Sequence, residues 1–330
     1  MKKRYFKFTF SLIVGATLVY YTFQYVELQE TLRAIHHARG GYLLGALVLL
    51  SVAHLSRGVR WKIWERHLRF WDSFKLILVG FMGNNVLPAR LGEVLRAHCA
   101  ADKTPTNYGR TAALASVVVE RILDGFVIAL IGIAGMAFVP IDRRLFLALM
   151  FVCAIFFVLS ACLLLGIFFH TAIRAVLEKL ANAYPKRLTI FGKDKANYFL
   201  DGLLLVRGFR RLALALLSTV VIWGIELLMY DLVANAVWRP VPLTTCLLFL
   251  AVLNFASLFP FTIGGIGAVE GAATMYLMGS GIPANESLAM VLLVHAFQLS
   301  FAVTLGGAFY FTSGYYSIPV FQSNPDRSSR

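Results

Sequence analysis

Long apolar segments fill most of this sequence, and those between Gly80 and Asp124 carry charged residues that lipid disfavours. The charged residues within this stretch are Arg90, Glu93, Arg96, Glu120, Arg121 and Asp124. A charged side chain at the centre of a membrane helix costs about 2.5–3.5 kcal/mol on insertion scales. Such residues persist where they face one another or a water-filled cavity. The stretch therefore predicts a polar site enclosed by a bundle of helices.

The composition is typical of a polytopic membrane protein. Hydrophobic residues make up 59% of the 330 positions and charged residues 15%, against about 45–50% and about 25% in soluble domains. The net charge of +14 comes from Lys and Arg that stand between the apolar segments, as topology-determining charges do, so we do not expect nucleic-acid binding. The four cysteines lack metal-ligand spacing, and no metal or other cofactor is expected.

Six apolar segments are long enough to cross a bilayer as helices. They are 8–25, 41–61, 111–139, 145–169, 212–237 and 287–311. Basic residues accumulate before the first segment, at the end of the second, where Arg57 and Arg60 lie among tryptophans, and between residues 170 and 211. Because loops rich in Lys and Arg stay in the cytoplasm, the pattern predicts a multi-pass protein of the inner (cytoplasmic) membrane with both termini in the cytoplasm.

Two further apolar segments, Phe74–Cys99 and Thr244–Met278, are interrupted by glycine, asparagine and proline. The unbroken part of the first, Phe74–Leu87, would extend only about 21 Å as a helix, whereas the hydrocarbon core is about 30 Å thick. We therefore predict two re-entrant helical hairpins, the first entered from the cytoplasm and the second from outside.

The order of the segments is the same in both halves of the chain. Residues 1–140 and 141–312 each contain two spans, a hairpin and a span, with opposite orientation. The expected fold is an all-α polytopic membrane protein with about six full spans plus two re-entrant helical hairpins arranged as an inverted repeat. It forms a single transmembrane domain, 1–312, followed by a flexible cytoplasmic tail, 313–330. Paired broken segments of this kind indicate the central binding site of a transporter.

Ten polar residues in and near the hairpins form the candidate substrate-binding site. They are Asn84, Asn85, Arg90, Glu93, Arg96, Glu120, Arg121, Asp124, Asn254 and Glu270. A guanidinium that is only partly neutralised can hold a phosphate through two parallel hydrogen bonds. The alternative is a set of structural ion pairs, because helical spacing lets Glu93 pair with Arg90 or Arg96. The sequence leaves both interpretations open.

Polar residues in the second half have expected roles or partners of their own. Glu226, near the middle of the fifth span, is a candidate proton relay. Glu270 is expected to pair with Arg121 or with a cationic headgroup. His295 is expected to bond to Gln298, one helical turn away.

Four motifs carry a family resemblance. RGVRWKIWERHL, NNVLPARLGEVLRA, SVVVERILDG and FPFTIGGIGAVEG occur in this order and resemble the lysylphosphatidylglycerol synthase transmembrane-region family over about residues 8–311. That family includes the flippase half of multiple peptide resistance factors and stand-alone inner-membrane proteins. The resemblance implies a lipid-translocating membrane domain. The residues after 312 are too few for the soluble aminoacyl-transferase domain of the full-length factors, so lysyl transfer is not expected.

The function expected from these features is that of a flippase. It would move an anionic or phosphate-bearing lipid, such as an aminoacyl-phospholipid or a polyprenyl-phosphate carrier, between leaflets. The alternative is a membrane-embedded transferase or a scaffold subunit in lipid or cell-envelope glycan synthesis. The sequence contains no nucleophile-elbow, zinc-protease or P-loop motif, which favours a transporter over an enzyme. A separately encoded lipid-modifying enzyme and a second copy of the chain are further candidate partners.

Overall fold

The computed structural model is helical throughout the residues that it describes. These residues are 13–22, 24–65, 67–87, 90–101, 110–183, 193–204, 208–238, 240–259, 262 and 264–315. The part of the predicted first span before Ile13 and most of the predicted tail, from residue 316, lie outside them. No strand occurs among the described residues.

The helices follow the predicted segments closely. In chain order they are α1 (Ile13–Thr22), α2 (Leu28–His36), α3 (Gly40–Trp64), α4 (Phe70–Val86), α5 (Gly92–Ala101), α6 (Arg110–Phe138), α7 (Arg143–Phe168), α8 (His170–Ala183), α9 (Lys193–Leu203), α10 (Phe209–Val237), α11 (Leu243–Ser257), α12 (Ala268–Gly279) and α13 (Ala284–Thr312). Helices α3, α7, α10 and α13 are long and apolar enough to cross a membrane. Helix α6 has 29 residues, which corresponds to about 44 Å. The prediction of an all-α polytopic membrane protein is confirmed.

Local sequence sets the helix ends. Helix α4 stops at Val86 because Leu87 precedes a proline and has extended backbone angles, φ −91° and ψ 142°, as residues before proline commonly do. Helix α7 begins after Asp142, whose carboxylate accepts hydrogen bonds from the backbone N–H groups of Arg144 (2.8 Å) and Leu145 (3.1 Å). Such a cap satisfies amides that have no partner inside the helix.

Helices α4 and α5 form the first hairpin, and its two outer ends lie together. Tyr315, just after α13, lies close to both Asp72 at the start of α4 and Cys99 near the end of α5. The two arms touch through glycine: a Cβ atom added at Gly92 would lie 2.0 Å from the carbonyl oxygen of Gly80. The chain therefore enters and leaves this hairpin at the end of the bundle where α13 finishes.

Helices α11 and α12 form the second hairpin at the opposite end. The hydroxyl of Tyr276, late in α12, donates to the carbonyl oxygen of Thr245, early in α11, at 3.0 Å. Only Ser280–Pro283 separate α12 from the start of α13. Since α13 is 29 residues long, its beginning and end mark opposite ends of the bundle, and the two hairpins enter from opposite directions.

The tips of the two hairpins meet inside the bundle. A Cβ atom added at Gly264 would lie 3.3 Å from the side-chain oxygen of Asn85 at the end of α4. The guanidinium of Arg90, between α4 and α5, donates to the backbone carbonyl of Ser257 at the end of α11. These contacts bring both interrupted segments to one place.

Close backbone approach at small residues holds the bundle together. A Cβ atom added at Gly306 in α13 would lie 2.3 Å from the carbonyl oxygen of Leu78 in α4. One added at Gly135 in α6 would lie 2.6 Å from Cγ of Leu248 in α11. Lipid tails are as apolar as leucine, so helices in a bilayer associate through such packing rather than through the hydrophobic effect.

Two helices outside the predicted segments pack onto this bundle. Helix α2 contacts α13, and just before it the backbone N–H of Glu27 donates to the side-chain oxygen of Asn285 at 2.9 Å. Helix α9 lies in the basic connection between residues 170 and 211 and packs on α6, where a Cβ atom added at Gly202 would lie 2.5 Å from Cβ of Ala115. Part of this connection is therefore ordered against the bundle.

Candidate functional site

A polar cavity of about 130 Å³ lies where the hairpin tips meet helices α3, α6, α10 and α13. Its polar and aromatic lining includes His54, Arg57, Phe81, Asn84, Asn85, Arg90, Arg121, Trp223, Glu226, Asn254, Ser257, His295 and Gln298. It lies between two apolar clusters of buried side chains, one around Tyr230 and Phe249 and the other around Trp61 and Leu76. The cavity is thus a polar region inside an apolar bundle.

Arg60 organises the charges behind the cavity. Its guanidinium donates to both carboxylate oxygens of Asp124, at 2.6 and 3.1 Å, and lies 3.0 Å from Glu120. Thr219 on α10 accepts a further hydrogen bond at 2.9 Å. The side chain of Arg60 is 0% exposed. The assignment of Arg60 to the cytoplasmic membrane surface was therefore wrong: α3 runs on to Trp64 and turns this arginine into the bundle.

Glu120 is shared by three arginines. Besides Arg60, it contacts Arg96 at 2.8 and 3.2 Å and Arg121 at 2.6 Å. Arg96 also stacks over the ring of Trp61, with its guanidinium carbon 3.8 Å from the ring centroid. The predicted pairing of Arg96 with the nearby Glu93 does not form, because packing of α5 against α6 turns Arg96 toward Glu120.

Arg121 connects this buried network to the cavity. It contacts Asp124 at 3.2 Å and Glu93 at 3.7 Å, and its side chain remains 30% exposed. Glu93 in turn accepts a hydrogen bond from the amide of Asn84 at 3.0 Å. The predicted patch of Glu120, Arg121 and Asp124 on one helix is present, with arginines from two other helices added to it.

Arg90 reaches the cavity from the tip of the first hairpin. Among the described residues other than glycine, only Arg90 has a left-handed backbone, with φ 53°, a conformation that costs L-residues energy and is often found at functional positions. Its guanidinium contacts Ser257, at 3.4 Å from Oγ as well as at the carbonyl. Within the described part of the chain no carboxylate lies within 4.0 Å of Arg90, so the predicted pair with Glu93 does not form.

Arg57 is a cavity residue that sequence reasoning assigned to the membrane surface. It forms an ion pair with Glu226 at 2.7 Å, and both side chains are 4% exposed. The rings of Phe81 and Trp223 lie 5.6 and 5.3 Å from its guanidinium carbon. Arg57 lies one helical turn before Arg60, and that shared helix face is the signal that could have identified both residues.

Glu270 fixes the second hairpin rather than meeting Arg121. One carboxylate oxygen accepts from the backbone N–H of Gly267 at 2.6 Å, and the other lies 2.6 Å from Nδ1 of His295. Nε2 of His295 lies 2.9 Å from the carbonyl oxygen of Gly264. Because both neighbours of the imidazole are acceptors, both ring nitrogens donate and the ring is the charged form. The pairing of Glu270 with Arg121 was therefore wrong.

Two amide side chains from other helices form hydrogen bonds with the hydroxyl of Tyr230 on α10. The amides of Asn254 and Gln298 donate to it at 3.1 and 3.4 Å. Gln298 therefore bonds to Tyr230 and not to His295 as predicted.

The predicted site residues fall into two groups. Asn84, Asn85, Arg90, Arg121 and Asn254 line the cavity. Glu93, Arg96, Glu120, Asp124 and Glu270 lie behind it and hold its arginines or its hairpin in position. Glu226, the candidate relay, lines the cavity beside Arg57.

The arginines and carboxylates described above do not balance in charge. Arg57, Arg60, Arg90, Arg96 and Arg121 face Glu93, Glu120, Asp124 and Glu226. Glu270 and protonated His295 neutralise each other. One positive charge, that of Arg90, is therefore left without a carboxylate within the described residues. A buried site of this kind attracts an anion. No group of three metal-ligating side chains occurs in the described part of the chain.

Comparison with known families agrees with the motifs. The profile described as the lysylphosphatidylglycerol synthase transmembrane region matches residues 8–306. The chain belongs to this family. The match includes both hairpins and all the charged residues of the cavity, so the site lies within the family's defining region.

Two relatives are described as UPF0104 membrane proteins. One, from Pyrococcus horikoshii, is 22% identical over 323 residues, covering 90% of this chain and 94% of the relative. The other, from Methanocaldococcus jannaschii, is 28% identical over 130 residues, covering 38% of each chain. The first similarity covers nearly the whole length of both chains.

Proposed function

We propose that this member of the family is a lipid transporter that moves a phosphate-bearing lipid between the two leaflets. The observation that carries the proposal is the cavity between the hairpin tips, which lies inside the bundle and is lined by three arginines, Arg57, Arg90 and Arg121. The family description links its members to membrane lipid. A phosphate is the lipid group that guanidinium recognises best, since it offers oxygens for two parallel hydrogen bonds.

Arg90 and Arg121 would hold the headgroup. Arg90 has only the neutral Ser257 as its hydrogen-bonding partner within the described chain, and Arg121 keeps 30% of its side chain exposed. The amide of Asn85 lies at the same tip and offers further hydrogen bonds. Together these groups would replace the water that surrounds a phosphate at the membrane surface.

The hydrocarbon tail would lie in an apolar groove beside the second hairpin. This groove has a volume of about 630 Å³ and is lined by residues such as Leu18, Tyr21, Phe255 and Met275 from α1, α11 and α12. The two are close along the chain, because Leu258, Phe259 and Gly267 line the groove while Gly264 and Gly265 line the polar cavity. A lipid could therefore keep its tail in an apolar environment while its headgroup enters the bundle.

Passage between leaflets would use the opposed hairpins as alternating barriers. The packing of α4 on α13 is matched by that of α11 on α6, and the pair Gly306 and Leu78 is matched by Gly135 and Leu248. This correspondence supports the inverted repeat of about six spans and two hairpins that we infer from the sequence. Transporters with such repeats expose a central site to each side in turn. We place the protein in the inner membrane with both termini in the cytoplasm.

The test is leaflet exchange in liposomes. Purified protein should accelerate the exchange of a fluorescent phosphate-headgroup lipid, and Arg90→Ala should reduce the protein-dependent rate at least about tenfold, since a bidentate charged contact is worth more than about 1.4 kcal/mol. The matched control is Arg33→Ala, because the side chain of Arg33 is 67% exposed and pairs only locally with Glu30. Equal exchange by the wild type and Arg90→Ala would exclude this headgroup role. A change in lipid mass during incubation would favour the transferase alternative instead.

A further inference from the structure

Arg57 lines the cavity and carries buried hydrogen-bond donors that have no acceptor. Its Nη2 atom pairs with Glu226 at 2.7 Å, but its buried Nε and Nη1 atoms have no hydrogen-bond partner. The residue is 3% exposed. Buried charged donors nearly always have acceptors, so unsatisfied ones at a cavity indicate a missing ligand. An anion in the cavity would supply the acceptors.

The surroundings of Arg57 hold the guanidinium in place. Phe81 and Trp223 lie against it, at 5.6 and 5.3 Å from its central carbon. The indole N–H of Trp223 donates to Asp124 at 3.1 Å, which ties the ring to the charge network. The partner of Arg57, Glu226, has no such clamp: the described hydrogen bonds and ion pairs of its carboxylate include only this arginine. If one member of the pair moves, it is Glu226.

We propose that Glu226 is an exchangeable counter-ion, which the phosphate of the lipid displaces from Arg57 and which then takes up one proton. The inference rests on the proposed headgroup site and adds a proton to its binding reaction. The phosphate forms two hydrogen bonds to Arg57, the carboxylate of Glu226 loses its ion pair, and a proton from cavity water neutralises it. Arg90 balances the charge of the phosphate, but Glu226 loses Arg57, its own ion-pair partner, and a carboxylate without a cation partner in a nonpolar bundle is strongly disfavoured unless it is protonated.

The proton uptake can be assigned only if other ionisable groups near Glu226 are considered. The charged or titratable groups come from every neighbouring element. They are Arg57 and His54 on α3, Arg121 and Asp124 on α6, Tyr230 on α10, His295 on α13, and Arg90 at the tip of the first hairpin. The Nδ1–H of His54 donates to the carbonyl oxygen of Leu50 at 2.8 Å, and His295 is held by Glu270. Glu226 is the carboxylate among them whose ion-pair partner, Arg57, lines the cavity and has guanidinium nitrogens without acceptors.

Coupling between lipid binding and proton uptake determines how the dissociation constant should depend on pH. One proton taken up on binding makes the dissociation constant rise about tenfold per pH unit wherever Glu226 is ionised in the free protein and protonated in the complex. Acid therefore favours loading and alkali favours release. A pH difference across the membrane would then drive the lipid from the acidic side toward the alkaline side.

The first experiment uses the wild-type protein in detergent. Calorimetric titration with a short-chain phosphatidylglycerol in two buffers of different ionisation enthalpy measures the protons bound per lipid. A phosphodiester probe keeps one fixed charge, whereas a phosphomonoester itself titrates with a pKa of about 6. We expect uptake of close to one proton per lipid and a tenfold weakening of binding per pH unit. Binding without proton uptake would overturn the proposal, as would the absence of binding at every pH.

The second experiment removes the titrating group. Glu226→Gln should bind the same probe with a dissociation constant that varies less than about twofold per pH unit, because the neutral amide neither competes as an anion nor takes up a proton. Asp231→Asn is the matched control: it lies on the same helix, near Cys246 rather than in the cavity, and should keep the wild-type slope. An unchanged slope in Glu226→Gln would assign the proton to another group. If Glu226→Gln does not fold, the wild-type proton count decides alone.

The two proposals fail differently. Proton-linked binding without leaflet exchange in liposomes would reject the transporter and retain the counter-ion role of Glu226. Exchange that proceeds with no proton uptake on binding would reject the counter-ion role and retain the transporter.

Discussion

At the scale of single residues, the protein stabilises buried charges by sharing them. Glu120 meets three arginines, and Asp124 accepts two hydrogen bonds from Arg60 and one from Trp223. Most of these charged side chains are buried, so water does not replace a partner that is removed. Removing one member therefore leaves an uncompensated charge, which costs far more than the net contribution of a pair to stability.

Arg60→Ala should be the most destabilising of the arginine substitutions. It leaves Asp124 and Glu120 short of a counter-ion, so the free energy of unfolding should fall by about 3–5 kcal/mol. The measurement is the midpoint of thermal unfolding in detergent. Lys62→Ala is the control, since Lys62 is exposed two residues later on the same helix, and it should change stability by less than about 0.5 kcal/mol. Similar midpoints for both variants would contradict a buried network centred on Arg60.

Arg90→Gly should separate backbone strain from the function of the side chain. At φ 53° glycine is unstrained, so this variant should be more stable than Arg90→Ala by about 1 kcal/mol. Both variants lack the guanidinium and should lose lipid exchange to the same extent. Thermal unfolding and liposome exchange on the same preparations test the two statements. Normal exchange by the stable Arg90→Gly variant would mean that the arginine side chain is dispensable.

At the scale of elements, the two hairpins are what create the site. Each is made of helices of 10 to 17 residues, of which even the longest extends only about 26 Å. The arms of the first hairpin pack through Gly80 and Gly92, and the tips of both hairpins carry irregular backbone. Non-helical backbone at membrane depth is tolerated only where protein or a polar cavity satisfies its hydrogen bonds, as at Gly264 and Gly267 here.

Gly92→Ala should open the first hairpin. A Cβ atom at this position would meet the carbonyl oxygen of Gly80 at 2.0 Å and the backbone nitrogen of Asn84 at 2.3 Å, so the variant should lose about 1–3 kcal/mol of stability. Gly224→Ala is the control within helix α10: nothing lies within 4 Å of its added Cβ, and it should gain up to about 1 kcal/mol. Thermal unfolding of the two variants in parallel makes the comparison. A neutral Gly92→Ala would argue against tight contact between the arms.

At the scale of the whole molecule, the ends of the helices fix the relative directions of the elements. The backbone N–H of Arg39, before α3, donates to the carbonyl oxygen of Ala236 near the end of α10 at 3.0 Å, so these two long helices are antiparallel. The second hairpin enters at this same end, because Tyr276 and Thr245 pair beside the start of α13. The first hairpin enters at the opposite end of the bundle, where α13 ends. The cavity therefore lies between the tips of two hairpins that enter from opposite ends of the bundle.

Cysteine labelling in oriented vesicles should report this arrangement. After Cys162, the exposed native cysteine, is replaced by serine, a cysteine at Lys62 should react only with reagent on the cytoplasmic side. Cysteines at Arg143 and Gly281 should react only from outside, because basic residues concentrate on the cytoplasmic side. Reaction of the Gly281 position from the cytoplasm would mean that both hairpins enter from the same side.

The sequence by itself determined the class of the protein, the positions of its long helices and the location of the two interrupted segments. The reason is physical: a lipid environment requires every backbone group to be satisfied within helices, and glycine and proline interrupt them at positions visible in the sequence. It also singled out Arg90 and Arg121, which line the cavity in the structure, because charges in apolar segments are exceptional.

Only the tertiary structure decided which charges meet. Helical spacing pairs residues three or four positions apart, and it suggested Glu93 for Arg96 and left Arg57 and Arg60 at the membrane surface. In the folded chain Arg96 meets Glu120, and Arg60 meets Asp124, 64 residues away in the sequence. Partner choice depends on which helix faces are brought together by close packing, and that is a property of the assembled bundle rather than of any one segment.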